Sequence, residues 1–417
     1  MTTDLRVLEA SEWDSWFGTL ERAFGGALSS AAEQREAWRS VTEYERSIGV
    51  RDGDEWVATA GAFTFGLTVP GGNVVSAAGV TMVSVAATHR RRGILTSMMR
   101  RQLDDVRSWG QPLALLTASE PAIYGRFGYG AGTRQLSAEI DTSRVSFRVP
   151  ADDTGTQAVR LRFVELADAL EPVESVYARL VATRPGMLER RPGWDRTMLI
   201  DPPEIREGAS ALQCVVARRG EGDGAETVGY ALYRIKPEWD AAGPKGTVVI
   251  DQVAALDPVA YATMWRFLGE IDLTSTVSVS NLPVDDPFQF LVSDVRRANI
   301  RVRDSLYVRL VELGAALAAR TYQAPVDVVF EVDDAFCPWN EGRWRLTGDE
   351  KGASCERTAD AADLSLSVRE LASMYLGDIS PAALARAGLV RELRPGALAE
   401  ASAAFVSPVA PWLPHGF

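Results

Sequence analysis

The run Val83-Ser84-Val85-Ala86-Ala87-Thr88-His89-Arg90-Arg91-Arg92-Gly93-Ile94-Leu95 constrains this chain more than any other segment. A short apolar strand leads through an arginine and glycine turn into Leu95, Met98, Met99, Leu103 and Val106, which share one face of a helix. Cations at a helix start oppose the helix dipole, so three of them in a row would be misplaced on a bare surface. They are well placed if the unpaired N–H groups of the first turn hold an anion such as a phosphate. Gly93 then lets the backbone come close to that anion.

The turn resembles the acyl-CoA pyrophosphate loop of the GNAT acetyltransferases, Arg/Gln-x-x-Gly-x-Gly/Ala. Arg90 and Gly93 match the pattern, and Leu95 stands where Gly or Ala is usual. Pro112-Leu113-Ala114-Leu115-Leu116-Thr117 reads as a buried parallel strand, an apolar run without alternation. Pro121 after it suits the first turn of a short helix capped near Ser119 or Glu120. Tyr124 followed by Gly128-Tyr129 fits the GNAT pattern of a tyrosine before a glycine-aromatic pair, whereas Phe127 and Tyr129 read as core aromatics. The string Ala118-Ser119-Glu120 through Ile123-Tyr124-Gly125-Arg126-Phe127-Gly128-Tyr129-Gly130 is similar to the Eis family of N-acetyltransferases. So are the length of 417 residues and the aromatic last residue, Phe417. The similarity is dense in the first 130 or so residues and thin afterwards.

Composition narrows the function. A chain of 417 residues should divide into two to four domains. A net charge of −12 argues against nucleic-acid binding and suits cationic substrates. Only His89 and His415 are histidines, which argues against His-built metal sites and Ser-His-Asp chemistry. Cys214, Cys337 and Cys355 lack metal spacing and read as buried thiols of a reducing, cytoplasmic setting. No signal peptide or membrane span is expected, nor a metal.

Helices are expected around 11–24 and 33–41, with strands at 55–65, 79–85 and 113–117, an α/β order. Residues 149–156 have linker composition. Strands at 212–217, 228–233, 247–255 and 276–280 with a helix at 258–268 repeat the theme. There, however, the turn reads Leu256-Asp257-Pro258, and an acid would repel a pyrophosphate. Beyond 291 the pattern is α+β. The resemblance implies two tandem GNAT-like domains, the first (1–150) catalytic and the second (151–290) without the CoA motif. It also implies a sterol-carrier-protein-like domain (291–417) whose tail reaches the active site, and a homo-hexamer.

The same resemblance implies acetyl-CoA as cosubstrate and a primary amine as acceptor, on polycations of the aminoglycoside type and on lysine side chains. Val83, Ser84 and Val85 would meet the thioester and pantetheine; Arg91, Arg92, Gly93, Ile94, Leu95 and Thr96 the pyrophosphate; Ser119 and Glu120 the cofactor again. Tyr124 would be the general acid, since phenol and thiol have reference pKa values of ~10 and ~8.5. The tail Pro411-Trp412-Leu413-Pro414-His415-Gly416-Phe417 is apolar and proline-stiffened, unlike an ordinary frayed end. In the family the terminal carboxylate is the base, which gives that role to Phe417, with His415 a second candidate. The family's usual penultimate acid is replaced by Gly416. The competing expectation is a lipid or small-ligand carrier with a vestigial acyltransferase domain, against which the intact Arg/Gly turn and Tyr124 count.

Overall fold

The computed structural model describes residues 3–26, 31–151 and 158–417. The chain packs as two compact units. One contains Met1–Arg134, Arg184–Arg190 and Asp304–Phe417; the other contains Gln135–Thr183 and Arg191–Arg303. Five residues of the expected linker, Asp152 to Thr156, lie outside the described residues, as does the start, Met1-Thr2.

The first unit is organised on a seven-stranded sheet. Its strands are β1 (Thr3–Val7), β2 (Ile48–Asp52), β3 (Glu55–Thr68), β4 (Val74–Val85), β5 (Leu113–Thr117) and β6 (Gly130–Ala131), with Leu306–Leu310 returning between β5 and β6. Helix α1 (Trp13–Ala23) buries Trp13, Trp16, Phe17 and Leu20, positions spaced to share one face. Helix α2 (Ala32–Val41) follows it. Helix α3 (Ile94–Ser108) buries Ile94, Met98, Met99, Leu103 and Val106, largely the face expected from the sequence.

The consequential feature is how β4 and β5 separate. Their parallel pairing covers only Ala77↔Leu113, Ala78↔Ala114 and Gly79↔Leu115, although β4 runs on to Val85 and β5 to Thr117. The register of β4 against β3 passes from Thr59↔Ser84 to Gly61↔Thr81, which places one extra residue on β4. Met82, within that step, sits at φ 52°, a strained conformation for an unbranched but bulky side chain. A bulge of this kind bends its strand away from its neighbour. The far side of β5 stays closed by Leu306–Leu310, paired over its whole length.

The rest of this unit is a five-stranded sheet in the order Gly352–Arg357, Gly342–Asp349, Val326–Asp333, Leu364–Ser367, Val390–Glu392. Helices Val368–Met374, Pro381–Arg386 and Ala397–Phe405 accompany it. After the last helix the chain runs back to the first sheet. Arg184–Arg190 holds it there: Gly186 N–H donates to Thr68 O at 2.8 Å, and Glu189 N–H to Gly66 O at 2.8 Å. The same segment accepts from Trp412 N–H at Pro185 O, 2.9 Å, and Arg184 Nη1 donates to Ala410 O at 2.5 Å. Residues Leu413, Pro414, His415 and Phe417 are buried.

The second unit has its own seven-stranded sheet, which includes Arg134–Asp141, Val159–Val164 and Arg301–Asp304 beside the four expected strands. Helix Pro258–Gly269 begins at Asp257, whose side chain accepts from Ala260 N–H at 2.9 Å and from Arg219 Nη2 at 3.0 Å. Its N-terminus is thus closed by the chain's own carboxylate, as the Leu256-Asp257-Pro258 turn predicts. Cys214, Cys337 and Cys355 are buried free thiols. Among the described residues no helix is long and apolar enough to cross a membrane.

Gly186 has φ 91°, and a Cβ there would lie 2.9 Å from both the N and O of Trp412. Gly186→Ala should therefore lower stability by about 1–3 kcal/mol and loosen the tail. Urea unfolding monitored by tryptophan fluorescence checks this, and an unchanged midpoint contradicts it.

Candidate active site

Two clefts open where β4 and β5 part. The larger, about 600 Å³, is lined by Val83, Ser84 and Val85 on β4 and by the loop and first turn of α3. Across from these stand Ser119, Glu120, Ile123, Tyr124 and Arg126. Of the residues the sequence assigns to cofactor binding, Arg91, Gly93, Ile94, Leu95 and Thr96 line this cleft as well. Arg92 does not: it is exposed, and Arg90 lines the cleft instead. The turn reverses direction between the two, with Arg91 at φ 64° and Gly93 at φ 80°. A Cβ at Gly93 would meet nothing within 4 Å, so the requirement for glycine lies in its φ and in what approaches from outside.

This cleft fits the phosphate arm of CoA on three observations. The first-turn N–H groups of α3 have no partner within the helix, by its geometry. Its lining carries three arginines, Arg90, Arg91 and Arg126, against one acid, Glu120. Among the described residues, the edge of β4 beyond Gly79 has no strand partner on its β5 side, so its backbone groups face the opening. Leu95, the departure from the usual loop, packs its half-buried side chain against the cluster of Ile48, Val50, Val57 and Met98. His89 bonds Asp52 at 3.1 Å and Thr88 at 2.8 Å, a structural role in the loop.

The smaller cleft, about 260 Å³, is lined by Phe24, Gln34 and Trp38 on one side and by Val80 to Val83, Thr117, Ser119, Tyr124 and Phe417 on the others. Tyr124 and Ser119 line both clefts and so stand at their junction. Tyr124 ends a short helix (Pro121–Tyr124), and its ring meets Tyr129 edge-on at 6.0 Å. Burial, aided by the negative Glu120, raises the Tyr124 phenol above its ordinary value, so it holds its proton throughout the neutral range. Phe127 and Tyr129 are buried core aromatics.

Phe417 enters the same cleft from the tail. Its ring lies 5.1 Å from that of Phe65, and Thr81 Oγ1 donates to its backbone oxygen at 3.0 Å. Gly79 makes room, because a Cβ there would fall 3.0 Å from the Phe417 ring. His415 is buried and does not line either cleft. Burial and the positive Arg190 push its imidazole down to about 3, leaving it neutral and a weak base.

Sequence reasoning missed the supports. Arg309 and Asp334 form a buried pair at 2.8 Å beneath the turn that follows Tyr124. Asn340 Nδ2 and Cys337 N–H donate to the same carboxylate at 3.1 and 3.0 Å. Gly128 sits over this pair at φ 84°, where a Cβ would be 2.7 Å from the guanidinium carbon. Burial of Arg309 next to Asp334 could not be read locally, since the two come from a strand and a distant loop. Trp38 and Phe24 were equally silent, being single aromatics in amphipathic helix patterns.

Comparison with known proteins agrees with this geometry. Residues 4–132 and 186–310 each match a family described as acetyltransferase (GNAT) domain, and residues 313–414 match a sterol carrier protein domain. The fold and its cleft define a GNAT-type N-acetyltransferase with a tandem second GNAT domain and a sterol-carrier-like domain. The chain is 66% identical over 417 residues to an uncharacterized N-acetyltransferase of Streptomyces avermitilis, covering all of both chains. It is 31% identical over 420 residues to the N-acetyltransferase Eis of Mycobacterium tuberculosis, covering 98% of each. The crystal structure of Eis1 from Mycobacterium abscessus superposes with a TM-score of 0.82 at 33% identity, over all of both chains. The chain belongs to the Eis family of N-acetyltransferases.

Gly93→Asp tests the phosphate end directly. Aspartate tolerates a positive φ better than most residues, so the fold should survive while an anion faces the pyrophosphate. The KM for acetyl-CoA should rise at least about tenfold, the effect of a lost charge-assisted contact of ~1.5 kcal/mol. An unchanged KM in steady-state assays removes the loop from the cofactor site.

Proposed function

We propose that the enzyme transfers the acetyl group of acetyl-CoA directly to a primary amine, with Tyr124 as general acid and the α-carboxylate of Phe417 as general base. The observation that carries this is the convergence of Tyr124 and Phe417 on one cleft that opens into the arginine-lined one. Acetyl-CoA supplies an activated acyl group as its thioester when bound. Backbone groups of Val83 to Val85 orient that thioester in the opening beside β4. Arg90, Arg91 and the α3 N-terminus hold the pyrophosphate, with Ser119 and Glu120 on the opposite wall.

The Phe417 carboxylate pairs with the incoming ammonium and takes its proton, freeing the nitrogen lone pair to attack the carbonyl carbon. Tyr124 gives its proton to the departing sulfur, the attacking nitrogen returns its second proton to the Tyr124 phenolate, and the Phe417 carboxyl releases the first to solvent, so each turnover yields the amide, CoA thiol and one proton. An α-carboxyl has a reference pKa of only ~3.3–3.7, and removal from water favours its protonated form, which strengthens it as a base. The second GNAT domain takes no part in cofactor binding on this reading, because Asp257 occupies the helix start where the first domain presents its arginine turn.

The sequence resemblance extends the acceptor to aminoglycoside-type polycations and lysine side chains. The net charge of −12 supports attraction of cations in general. Assembly as a homo-hexamer in the cytoplasm belongs to the same reading. Phe163, Trp239 and Phe290, large side chains left exposed on the second unit, are surfaces such an assembly would cover.

Tyr124→Phe should lower kcat about 10²–10⁴-fold while acetyl-CoA still binds, because a general acid acts mainly in the transition state. CoA release measured with a thiol reagent, beside calorimetric titration of acetyl-CoA, separates the two effects. A variant that keeps most of its kcat makes Tyr124 a packing residue.

A further inference from the structure

We infer that Thr59 and Gln102 are positioning residues for acetyl transfer: they hold the bulge of β4 in place, and with it the spacing between the thioester and phosphate ends of the site. This rests on the acetyltransferase reading above. The register between β3 and β4 skips Ala60 on one strand and both Met82 and Val83 on the other. A bulge takes backbone groups out of the ladder, and a buried carbonyl left without a donor is costly. Two carbonyls at this step accept from buried side chains. Thr59 Oγ1 donates to Met82 O at 2.7 Å, and Gln102 Nε2 donates to Gly61 O at 3.0 Å. Neither side chain is exposed to solvent by more than 2%.

Gln102 interrupts the buried apolar face of α3, between Met99 and Leu103. Its Oε1 is buried and has no hydrogen-bond partner among the described residues. A methionine would fill the same space without that unpaired oxygen, so packing alone does not account for the amide. What the amide adds is a fixed link from the helix that begins at the arginine turn to the strand facing the bulge. Thr59 sets the direction of a second bond. A hydroxyl has one proton, and Thr59 gives its own to Met82 O. The 2.7 Å contact between Thr59 and Ser84 therefore uses the proton of Ser84. Ser84 lines the larger cleft, and its lone pairs are left to accept an amide N–H of the pantetheine arm.

The test uses the full-length enzyme, acetyl-CoA and a saturating primary amine. Thr59→Val replaces the hydroxyl with a methyl group, and Gln102→Met removes the amide at nearly constant length. Each should lower kcat/KM for acetyl-CoA about 10–100-fold, the effect of displacing a reacting group by up to about 1 Å, and leave the KM for the amine unchanged. For Thr59→Val the loss should fall on kcat, with CoA affinity unchanged in calorimetry, because the arginine turn is untouched. Thr59→Ser keeps the hydroxyl and should retain most of the activity. In the cofactor-free enzyme, hydrogen exchange of the peptide spanning Val80 to Ala86 should quicken in Thr59→Val and Gln102→Met. If Thr59→Val does not fold, Thr59→Ala removes the same hydroxyl and takes its place. Folded variants with a lower thermal midpoint but unchanged kcat/KM would show a merely structural role and overturn the inference. So would unchanged exchange, or Thr59→Ser no more active than Thr59→Val. Failure of the unsubstituted enzyme to bind acetyl-CoA in calorimetry overturns the acetyltransferase reading beneath it.

Discussion

Three residue pairs hold β4 to β5, and everything proposed for the site depends on the pairing stopping there. Past Gly79 and Leu115 the two strands keep their outer partners, β3 and Leu306–Leu310, but lose each other. A continuous ladder would satisfy those backbone groups and close the opening; the bulge at Met82 prevents it. The strain of a non-glycine residue at positive φ, of order 1–3 kcal/mol, is sustained because the surrounding sheet determines the backbone. The result is a rigid fork with backbone polar groups on one wall and Tyr124 on the other.

On the proposed reading, a fork alone would bind an acyl-CoA thioester without a means to deprotonate an amine, and the tail would supply it. The tail reaches the fork from more than 300 residues away in sequence, where Thr81 Oγ1 donates to Phe417. Two supports make this geometry definite. The Arg184–Arg190 strap ties the tail to the end of β3, and the buried Arg309–Asp334 pair carries the turn after Tyr124. The latter is demanding: breaking a buried, hydrogen-bonded ion pair typically costs ~3–5 kcal/mol, because the remaining charge loses its partner. The placement of Tyr124 and Phe417 at one cleft thus relies on packing in the sterol-carrier-like domain as well as on the acetyltransferase sheet.

The legible parts of the chain were those with local signatures. Strand 113–117 and helix 258–268 are where the sequence places them, because apolar runs, Pro at a helix start and helical spacing are local properties. The arginine turn could be read for the same reason, and so could the Asp257 cap. Strands Thr3–Val7 and Ile48–Asp52 escaped because each is only five residues long, and Val159–Val164 because, although it alternates, it follows the linker and buries none of its residues fully. The strap was hidden inside a stretch that otherwise belongs with the second unit. The family resemblance gave Arg92 to the pyrophosphate, whereas Arg90 and Arg91 line the cleft and Arg92 does not, in a turn where Arg91 and Gly93 on either side of it both have positive φ. The apolar character of the tail was visible, but which residues met Phe417 was a matter of long-range packing.

The claim most in need of direct test is that the terminal carboxylate, held in the fork, is the base. Appending two alanines after Phe417 displaces the carboxylate and keeps the ring that packs on Phe65. The measurement is single-turnover acetyl transfer to a saturating amine, with acetyl-CoA affinity determined on the same preparation. The account predicts a fall of about 10²–10⁴-fold in the transfer rate with the affinity unchanged. Transfer at the rate of the unextended enzyme would contradict it and place the base elsewhere.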